Sequence, residues 1–289
     1  MTKMSSTSSS ESISRSNTSS MSCEAPERNR IGSPRRLWLI AAISCAFVIG
    51  LGPGSLSVLA IADQKATAQE DFYPKWAAMA RHLRPLAVAD TDSALGRRNL
   101  HPKIINLKDM ARMHGHLCDG LVTAWVELGA ALRELFPDGV VDRTDVRAMS
   151  KNGPCWADAA AWMTGARINQ GTLALDNSVG DGFIVQRIST GKTVRVALRA
   201  DVYPAGLAEL ERGIRSRRAR GEEVVAADID RFEDGADAYS RRLLDTPPEQ
   251  AVALERLDGF VFPERSPNQV APRSDIINRD VRRNAPSRP

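Results

Sequence analysis

The stretch FIVQRISTGKTVRVAL, residues 183–198, decides the fold class. Phe183 to Ser189 and Thr193 to Leu198 read as strands, and Thr190-Gly191 between them is a turn dipeptide, so the segment is a β-hairpin. Working outward, Thr172 to Leu175 is a third strand candidate, preceded by a polar loop from Gly165 to Gly171. Gly153-Pro154 leads into a helix from Cys155 to about Met163, and Val146 to Met149 is a short strand before it. A longer helix spans about Cys118 to Phe136, with Leu121, Trp125, Leu128, Leu132 and Leu135 on one stripe; Pro137-Asp138-Gly139 ends it. Leu107 to His114 is a short helix that Asn106 caps, with Asp109 in the capping-box position. Phe72 to Val88 shows helical spacing of Trp76, Met79, Leu83 and Leu86, with Pro85 placed to end or kink it. Ala89 to Pro102 is a polar connector. Downstream, Leu207 to Arg218 and Ala226 to Leu244 are helices. Helices and strands fall in separate groups joined by hairpins rather than regular crossovers. The expectation is an α+β fold, a mainly antiparallel sheet packed with helices, in one domain over residues 72–257.

The flanks differ in composition. Residues 1–36 form a Ser-rich leader that ends in Arg28, Arg30, Arg35 and Arg36, and residues 37–62 are apolar. Basic, then apolar, then small residues is the order of a secretory signal, and Ala60-Ile61-Ala62 and Ala66-Thr67-Ala68 offer cleavage sites. Arg35-Arg36 loosely resembles a twin-arginine signal, with Pro34 as a departure. The same run is long enough to serve as an uncleaved membrane anchor with its arginines in the cytoplasm. Either reading places the domain in the periplasm or elsewhere outside the cytoplasm. Residues 263–289 form a Pro/Arg-rich tail. The formal net charge of +4 is largely a leader property: residues 1–62 carry six Lys/Arg and three Asp/Glu, leaving 33 against 32. Nothing here points to nucleic acid. The cluster Arg215, Arg217, Arg218, Arg220 reads as the solvated end of a helix.

The chain has four cysteines and four histidines. Cys23 and Cys45 lie in the leader. The domain keeps His114, His116 and Cys118 in MHGHLCDG, and Cys155 in GPCWAD. Imidazole and thiolate are the ligands zinc and related metals prefer. Two His and two Cys satisfy a closed tetrahedral site, whereas three donors leave a position for water or substrate. Both cysteines start helices, where the helix dipole favours the thiolate. Gly115 and Gly120 mark a bend that lets backbone pass close to the site. Asp158, one turn after Cys155, is a candidate ligand, orienting carboxylate or general base. Two other readings stay open. Cys118 and Cys155 can form a disulfide in an oxidising compartment. Either thiol can also act as a nucleophile or redox group beside a histidine base. His82 and His101 read as structural or surface residues, and Trp125, Trp156 and Trp162 as core. The loop ending at Gly171 lacks the Lys-Ser/Thr of a phosphate loop.

These pieces, in this order, resemble the FmdE family, named after a component of formylmethanofuran dehydrogenase. The resemblance rests on His114-Gly115-His116-Leu117-Cys118-Asp119-Gly120, Cys155-Trp156-Ala157-Asp158, the loop from Gly165 to Gly171, and Thr193-Val194-Arg195-Val196, with Ile104-Ile105-Asn106 ahead of them. It covers a motif core of residues 104–198. It implies an α+β domain, often a homodimer, that binds metal at His116, Cys118 and Cys155, with His114 and Asp158 close by. Asp119 stands where that family has proline, the loop carries no lysine, and no cysteine follows Cys155 as a zinc-finger extension would need. The expected function is that of an exported protein handling a divalent metal, zinc by ligand type, or a small metal- or thiol-reactive ligand. Membrane contact is expected only through the N-terminal segment. The alternatives are a cysteine-dependent enzyme and a disulfide-stapled interaction module.

Overall fold

The computed structural model describes residues 72–263 except 94 and 100. The leader, the signal or anchor with Cys23 and Cys45, and the tail beyond residue 263 lie outside the described residues. Among the described residues no helix is long and apolar enough to cross a membrane.

One helix organises the domain. Helix α3 (Asp119–Leu135) follows α1 (Lys75–Ala78) and α2 (Leu107–His114), and twelve of its seventeen residues are buried. The stripe Leu121, Trp125, Leu128, Leu132, Leu135 is wholly inside, but so are Val122, Ala124, Val126 and Ala131. A helix apolar on nearly every side must be surrounded. Neighbours on several sides supply that cover: α4 (Pro154–Thr164), β6 (Phe183–Arg187), β7 (Thr193–Leu198), α6 (Ala226–Leu244) and β8 (Val252–Arg256).

The strands form two sheets, rather than one. The larger has the order β5-β4-β6-β7-β8, with β4 at Val146–Ser150 and β5 at Leu173–Leu175. The hairpin read from residues 183–198 sits at its middle, with Phe183 opposite Val196 and Val185 opposite Val194. Ala148 of β4 lies opposite Val185, so one face of three strands is apolar and packs inward. All its pairings are antiparallel except β4 with β5. The smaller sheet has the order β2-β1-β3, from β1 (Leu86–Ala89), β2 (Lys103–Ile105) and β3 (Val140–Asp142), with β1 parallel to β3 and antiparallel to β2. Both sheets are therefore mixed within an α+β fold. Helix α5 (Ala205–Ala219) packs on α6, and the short α7 (Pro248–Ala251) leads into β8.

The long helix expected over Phe72 to Val88 does not form. Pro85 forces the residue before it toward extended backbone. Leu86 and Val88 are buried while Ala87 and Ala89 are only partly so, the alternation of a strand. Strand β1 gains hydrogen bonds from partners on both sides, which the helical reading could not offer. Strand β8 escapes sequence reading because only Val252 is buried and the next four residues are exposed, as befits a sheet edge. Packing continues past residue 257: Phe262 is buried against Met149 and Val179.

Just before β6, Gly182 has φ +123°, and a Cβ there would run into the carbonyl oxygen of Val196. Gly182→Ala is expected to lower unfolding stability by at least about 2 kcal/mol, read by urea denaturation. A change within about 0.5 kcal/mol would show that the hairpin start relaxes freely.

Candidate metal centre

Three local devices bring the His and Cys residues together. Helix α2 opens on a capping box: the Asn106 side chain accepts from the Asp109 N–H at 3.0 Å and the Asp109 carboxylate from the Asn106 N–H at 3.2 Å. It closes at Gly115, which takes the left-handed conformation at φ 103°, where a side chain would be strained. That turn places His114, the last residue of α2, beside Cys118, the N-cap of α3. Gly120 makes no bend and lies inside the first turn of α3. A Cβ there would sit 3.0 Å from the Cys155 sulfur and 3.3 Å from its Cβ, so the glycine allows the starts of α3 and α4 to close on each other. Cys155 is the second residue of α4, after Gly153 and Pro154. Both thiols thus sit at helix N-termini, as the sequence implied.

The result is a compact donor cluster. The ligand atoms of His114, His116 and Cys118 all lie within 4.8 Å of one another. The sulfurs of Cys118 and Cys155 are 3.5 Å apart, in hydrogen-bond contact and not bonded, and the Cys155 sulfur is 3.7 Å from Nε2 of His114. Zinc at its usual bond lengths in a tetrahedron needs S–S and S–N edges of roughly 3.8 Å and 3.6 Å. The chain already holds two edges close to those of such a centre. The imidazoles of His114 and His116 stand 4.9 Å apart, the first nearly enclosed and the second exposed.

Asp158 finds its place beside the cluster. Its carboxylate is 2.7 Å from Nδ1 of His114. A carboxylate acceptor keeps the proton on Nδ1 and leaves Nε2 as a lone-pair donor aimed at the sulfurs. The geometry suits the orienting role better than direct ligation or base catalysis. The thiols are coupled: a hydrogen bond from Cys118 pulls the Cys155 pKa below its ordinary value, and the same bond, with burial, pushes Cys118 up.

The cluster lies in the wall of a pocket of about 890 Å³, which runs along α3 past Thr123 to Glu127 and is closed by the segment after β7 and by α5 and α6. Asp119, the departure from the family proline, accepts a hydrogen bond from the Tyr203 hydroxyl at 2.8 Å. Tyr203 packs edge-on against Tyr239, whose hydroxyl is 2.9 Å from that of Thr123. Glu127 is fully buried. One carboxyl oxygen accepts the Leu198 N–H at 2.8 Å, and the other has no hydrogen-bond partner among the described residues. Burial raises its pKa to about 8, against the pull of that N–H. The Trp156 indole also lines the pocket with its N–H unpartnered, close to Glu127 but outside hydrogen-bond geometry.

Sequence reasoning missed Glu127 and Tyr203 and assigned Trp156 to the core. A single acid inside the apolar run Trp125-Val126-Glu127-Leu128 was the available signal for Glu127; Tyr203 left none. Trp125 is core, as expected. The Gly165–Gly171 loop folds on itself, its Arg167 N–H donating to the Thr172 hydroxyl, and takes no part in the pocket. His82 and His101 lie outside the cluster.

The fold and site together define an α+β domain that gathers histidine and cysteine at two helix starts over a ligand-sized pocket. Residues 113–253 match the family model described as "FmdE, Molybdenum formylmethanofuran dehydrogenase operon". The chain carries an FmdE-family domain, which runs past the motif core through α5 and α6 into β8. No curated protein matches the chain.

Glu127 carries a testable linkage. The folded protein keeps its proton up to about pH 8, whereas the unfolded chain releases it in the ordinary carboxylate range near pH 4.3. The stabilisation is full below that range and is lost as pH rises toward 8. Unfolding free energy is expected to fall by a few kcal/mol over this window relative to Glu127→Gln. Parallel pH profiles for the two proteins would overturn the assignment.

Proposed function

We propose that this FmdE-family protein binds a divalent metal through His114, His116, Cys118 and Cys155 and uses the adjoining pocket to handle a small ligand at it. The carrying observation is the pair of donor edges, 3.5 Å between sulfurs and 3.7 Å from sulfur to Nε2. Zinc is the ion that this donor set fits best by ligand type. His114, Cys118 and Cys155 form the enclosed triangle, and His116 is the exposed donor that a ligand from the pocket would replace. Bound there, the metal would supply Lewis acidity to a ligand donor atom. This chain's own residues orient His114 through Asp158 and line the pocket along α3. The basic and apolar leader supports export, so the domain is proposed to work outside the cytoplasm.

Elemental analysis of the protein purified without added metal tests the reading. Near-stoichiometric metal is expected, lost in both Cys118→Ser and Cys155→Ser. Metal content unchanged in both variants would sink it. Asp158→Asn should retain the fold and weaken metal affinity by roughly 10–100-fold, because the acceptor that orients the imidazole loses its negative charge.

The sulfur–sulfur contact also favours a second reading, a dithiol that closes to a disulfide. It predicts that mild oxidation of metal-free protein removes both thiols together without intermolecular adducts. Two thiols that alkylate independently under those conditions would count against it.

A further inference from the structure

We infer that a cleft between α3 and the end of α6, lined by His82, Arg84 and Arg133, is a binding site for a phosphate oxyanion. It shares no lining residue with the pocket of the candidate metal centre and goes beyond the function proposed above.

Three segments build the cleft. The run before β1 is pinned to the end of α6: the His82 N–H donates to the Leu244 carbonyl and the Arg81 N–H to the Asp245 carboxylate, each at 3.0 Å. Trp125 and Val126 of α3, with Leu243, Leu244 and Pro248, give it apolar walls. Arg133 lies two turns beyond Val126 on α3, and its guanidinium donates to the Arg84 carbonyl at 3.4 Å. Gly129 leaves room for that guanidinium, because a Cβ there would come within 3.0 Å of Nη1.

Charge points to the ligand. No acid lines the cleft, and neither Arg84 nor Arg133 has a carboxylate partner among the described residues. The carboxylates next in the chain are engaged elsewhere, Glu134 with Arg256 and Asp245 with the Arg81 N–H. Burial, and then the charge of Arg84, pull the Arg133 pKa below its ordinary value, so the two cations stand close enough to repel. The carbonyl end of α6 offsets this only as a partial charge. An anion compensates both guanidinium groups at once, and apolar walls strengthen the attraction.

The donors select an oxyanion. Guanidinium N–H groups form a fork that matches two phosphate oxygens, and an imidazole donates an N–H in either protonation state. The cleft is shallow, with room for about one water-sized group below its mouth. It therefore takes a phosphate oxygen and leaves the rest of the ligand outside. Arg84 follows the apolar run of residues 37–62 closely in sequence, so a lipid headgroup and soluble phosphate are the two sources to separate.

Inorganic phosphate titrated calorimetrically into the full chain at low ionic strength is the first test. One phosphate per chain is expected. Arg84→Gln and Arg133→Gln should each weaken it at least about tenfold, with metal content unchanged. Arg84 is exposed, so its variant should fold even where Arg133→Gln does not. Arg84→Lys should recover part of the affinity, and Arg212→Gln, which removes an exposed charge on α5, should leave it intact. No phosphate binding, or unchanged affinity in folded Arg84→Gln, would overturn the site. Equal losses in Arg84→Gln and Arg212→Gln would also overturn it, since net charge alone would then explain the binding. Vesicles of phosphatidylglycerol and of phosphatidylcholine separate the sources. An apolar segment partitions into both, so the difference between them is the readout. A smaller difference in Arg84→Gln assigns the oxyanion to a headgroup. An unchanged difference, with phosphate affinity weakened, assigns it to a soluble phosphate compound.

Discussion

The first turns of α3 and α4 meet with only a glycine between them. Gly120 lies against the Cys155 sulfur and the Trp156 ring, and no larger side chain would leave that spacing intact. The thiol pair, the indole that lines the pocket and the entry to α4 are all set by this approach. Helix N-termini also bring partial positive charge to the same point, which offsets part of the cost of holding a thiolate away from water. Packing and electrostatics therefore act at one place, and the donor geometry follows from it.

Further along α3 the domain accepts a cost. A glutamate inside a helix surrounded by apolar neighbours is a group that burial penalises, and one N–H from the end of β7 satisfies only half of it. Leucine would suit the core better. Its presence beside the Trp156 indole places a polar pair behind the inner pocket wall where packing alone would favour apolar side chains. The pocket thus runs between two chemically different ends, thiol and imidazole at one and a buried carboxyl beside an indole at the other, along a side lined by Thr123 and Tyr203.

Local signals carried much of this into the sequence. Asn106, Asp109 and Gly115 are residues whose conformational roles hardly depend on context, so α2 and its exit were legible. The Thr190-Gly191 turn and its flanking strands were legible for the same reason. The region from Phe72 to Val88 was not, because Trp76, Leu83 and Leu86 fit a helical period by chance and the strand partners of β1 are distant in sequence. Four candidate site residues were readable from type and spacing. Glu127 and Tyr203 were not found because their meaning comes from neighbours supplied by β7, α5 and α6.

The two sulfurs in contact are 37 residues apart along the chain, and β3 and β4 are made between them. In an unfolded chain only His114, His116 and Cys118 remain near one another in sequence, a loose local set of donors. The fourth donor arrives when α4 has docked, which needs β4 in its sheet and Gly120 against Cys155. The four-donor arrangement is thus a property of the finished tertiary structure. Under the proposed reading the site would double as a readout of its own assembly, since ion retention would distinguish a completed domain from one that has stalled.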